Sequence, residues 1–579
     1  MEFDPGGLVR DLGAGNASPA SLSLLGAGQA RKRSVLLRML LNDAARHADT
    51  ARARLPEAYR YLTETGEAEA LLAYPNVGVW LVHCVRRLAN RSAPLDEVPV
   101  WADLAYLGWL AAAHFVAARR VGSIDVVVRD GEVMLPGLGL ARLEPPGTHT
   151  EATVTLTPGR IELATERTRL ILRDPGAETD VRWLPLRKLG TTYSTLRTVY
   201  LDDVDPFRDL SDPYTGAQLT SPPPRLTATQ AAGWSRAFHG GLEILRQQYE
   251  GYSTGVDEVL RAVVPLTADP VANGVSNTSL HAYGGVNMSA AGGPHQFALT
   301  LIHECQHAKL TALTDLVELQ KPSPVKDLYA PWRDDPRPLS GLLQGSYAHL
   351  GVTDFWRVYR QGAGARSLMA DVEFARWRTQ VRQALLVAAA SPLLTEAGTT
   401  FVEAMAAAVR RWSGETVPGH LESLARESSA GHLVAWRVRN MSVDPADLRA
   451  LLTRRRAALD PGELPAPRVV ATPPAARTRL PVGYVKMNRA AGLPADPGTT
   501  PASDLAYTTG DYERALAFYT AEITESPESP ESWAGLALCL RHLSDEESVA
   551  ALFRRPEVVA GLYRLEPCDI VVLTAWLSA

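Results

Sequence analysis

Cysteine is scarce. Cys84, Cys305, Cys539 and Cys568 are the only four in 579 residues, and no CxxC pair occurs. That excludes zinc-knuckle and thioredoxin-type readings. It also makes a disulfide framework a poor expectation and points to a reducing cytoplasm. An excess of either charge is lacking too: 59 Lys and Arg stand against 64 Asp and Glu, a net charge of −5. A chain this near neutrality carries no basic surface by default, so neither nucleic acid nor an anionic membrane is an expected partner. Long apolar runs are missing. Trp101 to Ala118 is broken by Asp103 and His114 and falls short of the roughly 20 residues that span a bilayer, so a buried helix is expected there. Met1-Glu2-Phe3-Asp4-Pro5 is acidic and has no basic-then-apolar signal pattern, which disfavours an exported digestive protease. What is present is ordinary globular material, with 46% hydrophobic and 21% charged residues. At about 150 residues per domain the length suggests about four domains' worth of chain.

The pattern predicts a mainly α fold with a β-rich insertion, an α+β chain. Residues 1–120 read as an N-terminal helical region, with helical mixtures at Arg31 to Ala51, Glu67 to Leu88 and Trp101 to Arg120. Residues 121–226 read as β-rich. Asp130-Gly131 separates Ile124–Val128 from Val133–Leu135, and Pro158-Gly159 separates Thr153–Leu156 from Ile161–Leu163. Both are hairpin signatures. Residues 227–460 read as helical, with Ala228–Tyr249, His295–Leu319, Leu339–Arg360 and Asp371–Ala389 the clearest helices. Nine prolines from Pro461 to Pro501 mark residues 461–503 as a linker or wrapping segment. Residues 504–579 carry Gly510, Ala515, Tyr519, Pro527, Trp533 and Gly535 in helix–turn–helix register, which resembles a tetratricopeptide repeat. One unit and a partial one cannot bury their own face, so they must pack on the body or on a partner. The spacing also fits an ordinary helical hairpin. Separable tail helices are expected.

The sharpest chemical signal is His303-Glu304-Cys305-Gln306-His307. No Gly or Pro interrupts its surroundings, and Pro294 suits the first turn of a helix. On a helix, His303 and His307 sit one turn apart on one face and make two legs of a metal site. Glu304 is offset by roughly 100° and can approach a metal-bound water or the substrate. The plain alternative is two polar helix residues with no metal.

A third ligand is needed. The metzincin pattern is excluded, because Leu310 and Leu313 stand where it requires Gly and His. A thermolysin-like carboxylate could come from Asp315, Glu318, Asp354 or Glu373, although the first two are expected on the same helix at the wrong height. His349 is the better candidate, since Gly345, Ser346 and Ala348 give its helix a small-residue face; His432 is held in reserve. The proline-stiffened loop Tyr329 to Pro338 projects Arg333 and Arg337, the residue type suited to bidentate carboxylate binding. An internal network with Asp334 and Asp335 is the alternative. Leu201 to Asp209 is acidic and reads as a solvated turn, with a cation or basic peptide as the other option. Trp436 to Asn440 reads as helix-end packing.

Taken in order, Tyr74 to Trp80, Leu201 to Asp209, His303 to Lys309, Tyr329 to Pro338, Gly345 to Trp356 and Gly431 to Asn440 resemble one family. It is the HExxH-motif family of peptide-modification proteins found beside or fused to radical-SAM peptide maturases. The pieces span most of residues 20–460; Val79 and Cys305 depart from the usual residues, and the C-terminal block lies outside. The family is similar to iron- and 2-oxoglutarate-dependent HExxH peptide β-hydroxylases.

The resemblance implies an enzyme that modifies a ribosomally made precursor peptide, with a radical-SAM maturase as a possible partner. On this expectation His303, His307 and His349 hold Fe(II), Glu304 is the catalytic carboxylate, and Arg333 or Arg337 binds the distal carboxylate of 2-oxoglutarate. Imidazole suits Zn²⁺ equally, and with Glu304 as base the same residues make a peptidase. A third option is a scaffold for the maturase with a vestigial motif. The intact His303, Glu304 and His307 set argues against it.

Overall fold

Helix starts are written in the sequence. Ser18 accepts a hydrogen bond from Ser21 N ahead of Pro19, starting the helix Pro19–Ala44. Thr227 and Gln230 form a reciprocal capping box that starts Ala228–Gln248. The computed structural model describes residues 4–64, 72–89, 98–177, 180–208, 223–267, 275–362, 367–470, 479–492 and 500–578. The fold is mixed α+β and mainly helical, 58% helix against 12% strand. It divides into two compact units: residues 16–317, and residues 1–15 together with 318–579.

The first unit holds all the longer strands. These are β1 Gly122–Val128, β2 Glu132–Leu135, β3 Gly139–Arg142, β4 Thr150–Thr157, β5 Arg160–Ala164, β6 Arg169–Leu172, β7 Trp183–Pro185, β8 Arg187–Thr191, β9 Thr198–Leu201, β10 Ala262–Pro265, β11 Ser276–Asn277 and β12 Gly285–Met288. The Pro158-Gly159 turn joins β4 and β5 as expected, but the Asp130-Gly131 turn closes only an Arg129–Glu132 bridge: the expected hairpin of β1 with β2 is not formed, because β1 pairs with β4 and β2 with β3. Asp130, Gly131 and Gly159 take positive φ of 53°, 78° and 73°, matching the twist of tight hairpins. Two small antiparallel sheets result, β1-β4-β5-β6 and β2-β3-β7. They share a core with the preceding helices. Trp109 Nε1 donates to Val127 O at 2.7 Å, tying the helix Tyr106–Ala117 to β1. The apolar stretch Val100–Ala117 is 78% buried, so its hydrophobicity is used in this core.

A third sheet, in the order β11-β12-β10-β9-β8, corrects the expectation of continuous helix after residue 227. β9, β10 and β12 run parallel; β11 and β8 are antiparallel edges. Every residue of β10 and β12 is buried. A strand covered on both faces shows no polar–apolar alternation, which is why the sequence pattern hid it. Five residues after β12 the chain enters the helix Pro294–Thr314, which carries His303 to His307. It packs on Ala228–Gln248, where the bare backbone of Gly241 lets Phe297 and Ala298 approach.

The second unit is a helical assembly of Leu339–Gly362, Ser367–Ala389, Glu396–Arg411 and Gly419–Asn440. The N-terminal helix Pro5–Gly13 joins it, with Gly13 set against Phe401 and Ala404. The tail helices Tyr512–Glu525 and Pro530–Leu543 form a hairpin in which Gly535 lies under the Tyr519 ring; a methyl there would overlap that ring. The tail does not stand apart as expected. Val434, Ala435 and Val438 of Gly419–Asn440 share one core with Trp533, Leu538 and Leu562. The proline-rich stretch wraps this core. Arg468–Val469 pairs with Met441–Ser442, and the helix Val482–Ala490 sets Gly483 against Ser428. Residues 471–478 and 493–499 of that stretch, 67–71 of the expected helix Glu67 to Leu88, and Asp209 lie outside the described residues.

Candidate metal centre

One helix supplies the centre of the site. In Pro294–Thr314 the one-turn spacing stacks His303 above His307, with Nε2 atoms 3.1 Å apart and ring planes at 78°. An ion bonded to both nitrogens at about 2.0–2.1 Å would subtend an angle of roughly 100° at that separation, so the pair fits two legs of one metal. Burial, and then the neighbouring His307, lower the His303 pKa to about 4. His303 is therefore neutral at pH 7 and can offer a lone pair. Glu304 is 1% exposed, and its Oε1 is 3.9 Å from His303 Nε2. Thr278 Oγ1 donates to Glu304 Oε2 at 2.5 Å. Thr278 directly follows β11, whose Asn277 Oδ1 accepts from Asn287 Nδ2 of β12 at 2.8 Å. The carboxylate is thus fixed to the edge strand of the sheet. Nothing in the spacing of the motif pointed to Thr278, because the contact spans 26 residues.

Three of the four carboxylates considered as third ligands are engaged elsewhere. Asp315 caps the end of the HExxH helix and accepts from Gln29 and Lys32 at 2.7 and 2.8 Å. Glu318 lies beyond that helix rather than on it. Asp354 accepts from Arg357 at 2.6 Å, and Glu373 from Arg376 and Trp377 at 2.5 and 2.9 Å. Among the described residues, no group of three or more His, Cys, Asp and Glu side chains is arranged to hold a metal ion.

His349, Arg333, Arg337 and His432 all belong to the second unit. His349 lies on Leu339–Gly362 with Nδ1 2.7 Å from Gly345 O. A carbonyl oxygen only accepts, so Nδ1 carries the proton. Arg333 Nε and Arg337 Nη1 both reach Asp335, at 2.8 and 3.1 Å, making the internal network that was the alternative to a ligand clamp. His432 spends both nitrogens on its neighbours. Nδ1 is 2.8 Å from the Tyr329 hydroxyl and Nε2 is 3.4 Å from Asp334 Oδ1. Trp436 to Asn440 packs as expected, with Arg437 bonded to both oxygens of Glu557.

The acidic Leu201-to-Asp209 segment overturns its reading as a solvated turn. Asp202 and Asp205 are fully buried, and Asp203 is 3% exposed. Asp202 accepts from Tyr74 and Asn76. Asp205 accepts from Tyr106 at 2.5 Å and from Phe207 N at 2.8 Å. Asp203 is held by Arg187 and Arg225. Burial pushes the pKa values of Asp202 and Asp205 up, and for Asp205 the nearby Asp202 adds to the rise. Compared with known proteins, the chain matches no family model and no curated protein.

Proposed function

We propose that this chain is a HExxH metalloenzyme that modifies a ribosomally made precursor peptide, by β-hydroxylation dependent on Fe(II) and 2-oxoglutarate. The observation that carries the reading is the His303–His307 pair, its Nε2 atoms 3.1 Å apart, set beside a buried Glu304 tied to an edge strand. The two imidazoles would hold the metal. Bound Fe(II) with 2-oxoglutarate would supply activated dioxygen for inserting one oxygen atom into a peptide C–H bond. The chain's own residues do the rest. β11 ends its sheet, and an edge strand accepts an extended peptide by main-chain pairing. Glu304, oriented by Thr278, holds a water or a substrate N–H. A distal carboxylate at Arg333 or Arg337 must compete with Asp335.

The second reading is a zinc peptidase acting on the precursor or its leader. It is favoured by the Glu304 carboxylate, buried and 3.9 Å from His303, the placement of a general base. The tail hairpin, with Gly535 under Tyr519, supports a tetratricopeptide-like role in recruiting a radical-SAM maturase. Four unpaired cysteines suit a cytoplasmic setting. The test incubates the protein in air with a precursor peptide, loaded with Fe(II) and 2-oxoglutarate or with Zn²⁺. A gain of about 16 Da with matching succinate supports hydroxylation. Cleaved peptide with zinc, and no oxygenated product with iron, replaces it with the peptidase.

A further inference from the structure

The β-rich insertion leaves one strand edge open. β1 lies at the end of the sheet β1-β4-β5-β6. The two-residue turn between Thr157 and Arg160 makes those two a hydrogen-bonded pair, so alternate positions of β4 face β5 and the others face β1. Carried through the register of β1 with β4, this points the N–H and C=O of Ser123, Asp125 and Val127 away from the sheet. Two sets of bonds agree. Trp109 Nε1 donates to Val127 O, and Arg129, two residues on, exchanges backbone bonds with Glu132. Both groups of Ser123, both of Asp125 and the N–H of Val127 have no hydrogen-bond partner among the described residues.

A cleft of about 320 Å³ lies between this edge and the helix Leu55–Glu64. Ala53, Ala58, Ala105 and Gly108 keep it clear. A Cβ at Gly108 would meet no atom within 4 Å, so the space there is open. An open edge is ordinarily guarded by proline, lysine, a bulge or a covering element. Gly122–Val128 contains neither proline nor lysine, and its pairing with β4 is unbroken. Arg54 bonds Asp125 and Glu151 at the rim, and Arg60 stands 4.0 Å from Glu64. Glu57, exposed on the same helix, has no ion pair among the described residues. We propose that the β1 edge docks an extended peptide as an added strand, with apolar side chains in the cleft and a basic side chain at Glu57. Main-chain bonds to Ser123, Asp125 and Val127 would give affinity, and the cleft selectivity. The cleft is at the small end of the roughly 300–1,000 Å³ of ligand sites, which suits side chains of a strand. The docking needs no metal ion and does not rest on the metalloenzyme reading.

The experiment uses the full chain and a dye-labelled heptapeptide of alternating valine and lysine, followed by anisotropy. Binding should slow hydrogen exchange across Gly122–Val128. N-methylation of alternate peptide nitrogens tests the pairing. One alternate set should cost about tenfold or more in affinity and the other little, because only one set faces β1. Gly108→Leu fills the cleft, suits its helix and should abolish binding. Gly108→Ala leaves most of the space and should still bind, which separates filling from loss of fold. Glu57→Gln should weaken binding about threefold at low salt and less at high salt. Absence of binding at millimolar peptide, or equal loss from both methylated sets, overturns the proposal. So does a peptide-free chain that is dimeric and becomes monomeric in Ser123→Pro, which would give the edge to a second copy.

Discussion

Thr278 donates to the carboxylate of Glu304 across 2.5 Å, joining the end of edge strand β11 to the HExxH helix. The bond leaves Glu304 one fixed direction in a site where it is 1% exposed. Thr278→Val keeps the side-chain shape and removes the donor. Turnover of the precursor peptide should fall about 10–100-fold, the usual effect of losing an orienting partner, while metal content stays constant. Metal analysis beside single-turnover rates checks this. Equal loss of metal and rate would make Thr278 a support of the helix instead.

The shared core makes the tail part of the second unit. Arg437 bonds to both oxygens of Glu557, which is 4% exposed, and Arg555 reaches the same carboxylate at 2.8 Å. Removing one partner of a buried pair leaves a charge without compensation. Glu557→Ala should therefore cost about 3 kcal/mol, read as a lower midpoint in urea. Truncation at Leu459 should strip the apolar face from Gly419–Asn440 and give an insoluble or partly unfolded chain. A soluble truncated protein with unchanged helicity would restore the separable tail.

The contrast between visible and hidden features is physical. The HExxH helix could be read because periodicity, an uninterrupted run and Pro294 agree over one local stretch. The Asp130-Gly131 and Pro158-Gly159 turns could be read because tight turns demand particular residues, but the pairing of β1 with β4 instead of β2 could not, since it joins segments that a local pattern does not link. β10 and β12 could not, since four buried residues carry no alternation. Asp202 and Asp205 were misread because charge suggests water, whereas tyrosines and backbone N–H groups from distant positions satisfy them here. The engagement of Arg333 and Arg337 by Asp335 spans only two residues and is the local network the loop sequence allows, whereas the seating of Gly431 against Leu538 depends on a tertiary contact that spacing alone does not encode.

Two buried acidic sites set opposite pH slopes. Asp205 has its pKa raised by burial and by Asp202, so the folded chain binds a proton that the unfolded chain releases. Its contribution is therefore greatest in acid and is lost as pH rises from about 4 toward neutrality. Burial opposes ionisation of Asp103 too, but hydrogen bonds from His83 and Arg129 lower its pKa to about 2. That contribution is present above the ordinary carboxylate range and is lost as pH falls toward 2. Asp205→Asn, whose amide can donate to Tyr106, should flatten the slope between pH 4 and 7. Urea midpoints at stepped pH measure it, and an unchanged slope would place the proton elsewhere.

The His303–His307 pair predicts a third pH signature. His303 has a pKa lowered to about 4 by burial and by His307, against an ordinary value of 6.5. Between those values the unfolded chain binds the proton and the folded chain does not. The sign is therefore a stability that rises with pH across this window and is complete above about 6.5. Metal binds the neutral imidazole, so added Fe(II) or Zn²⁺ should raise the thermal midpoint most above pH 6.5 and progressively less toward pH 4. His303→Asn should remove both the slope and the metal-dependent shift. His307→Asn should remove the shift, because one nitrogen of the pair cannot hold the ion alone. Scanning calorimetry at pH 5 and 7, with and without metal, gives the comparison. A metal-dependent shift that survives in both variants would locate the ion away from this helix.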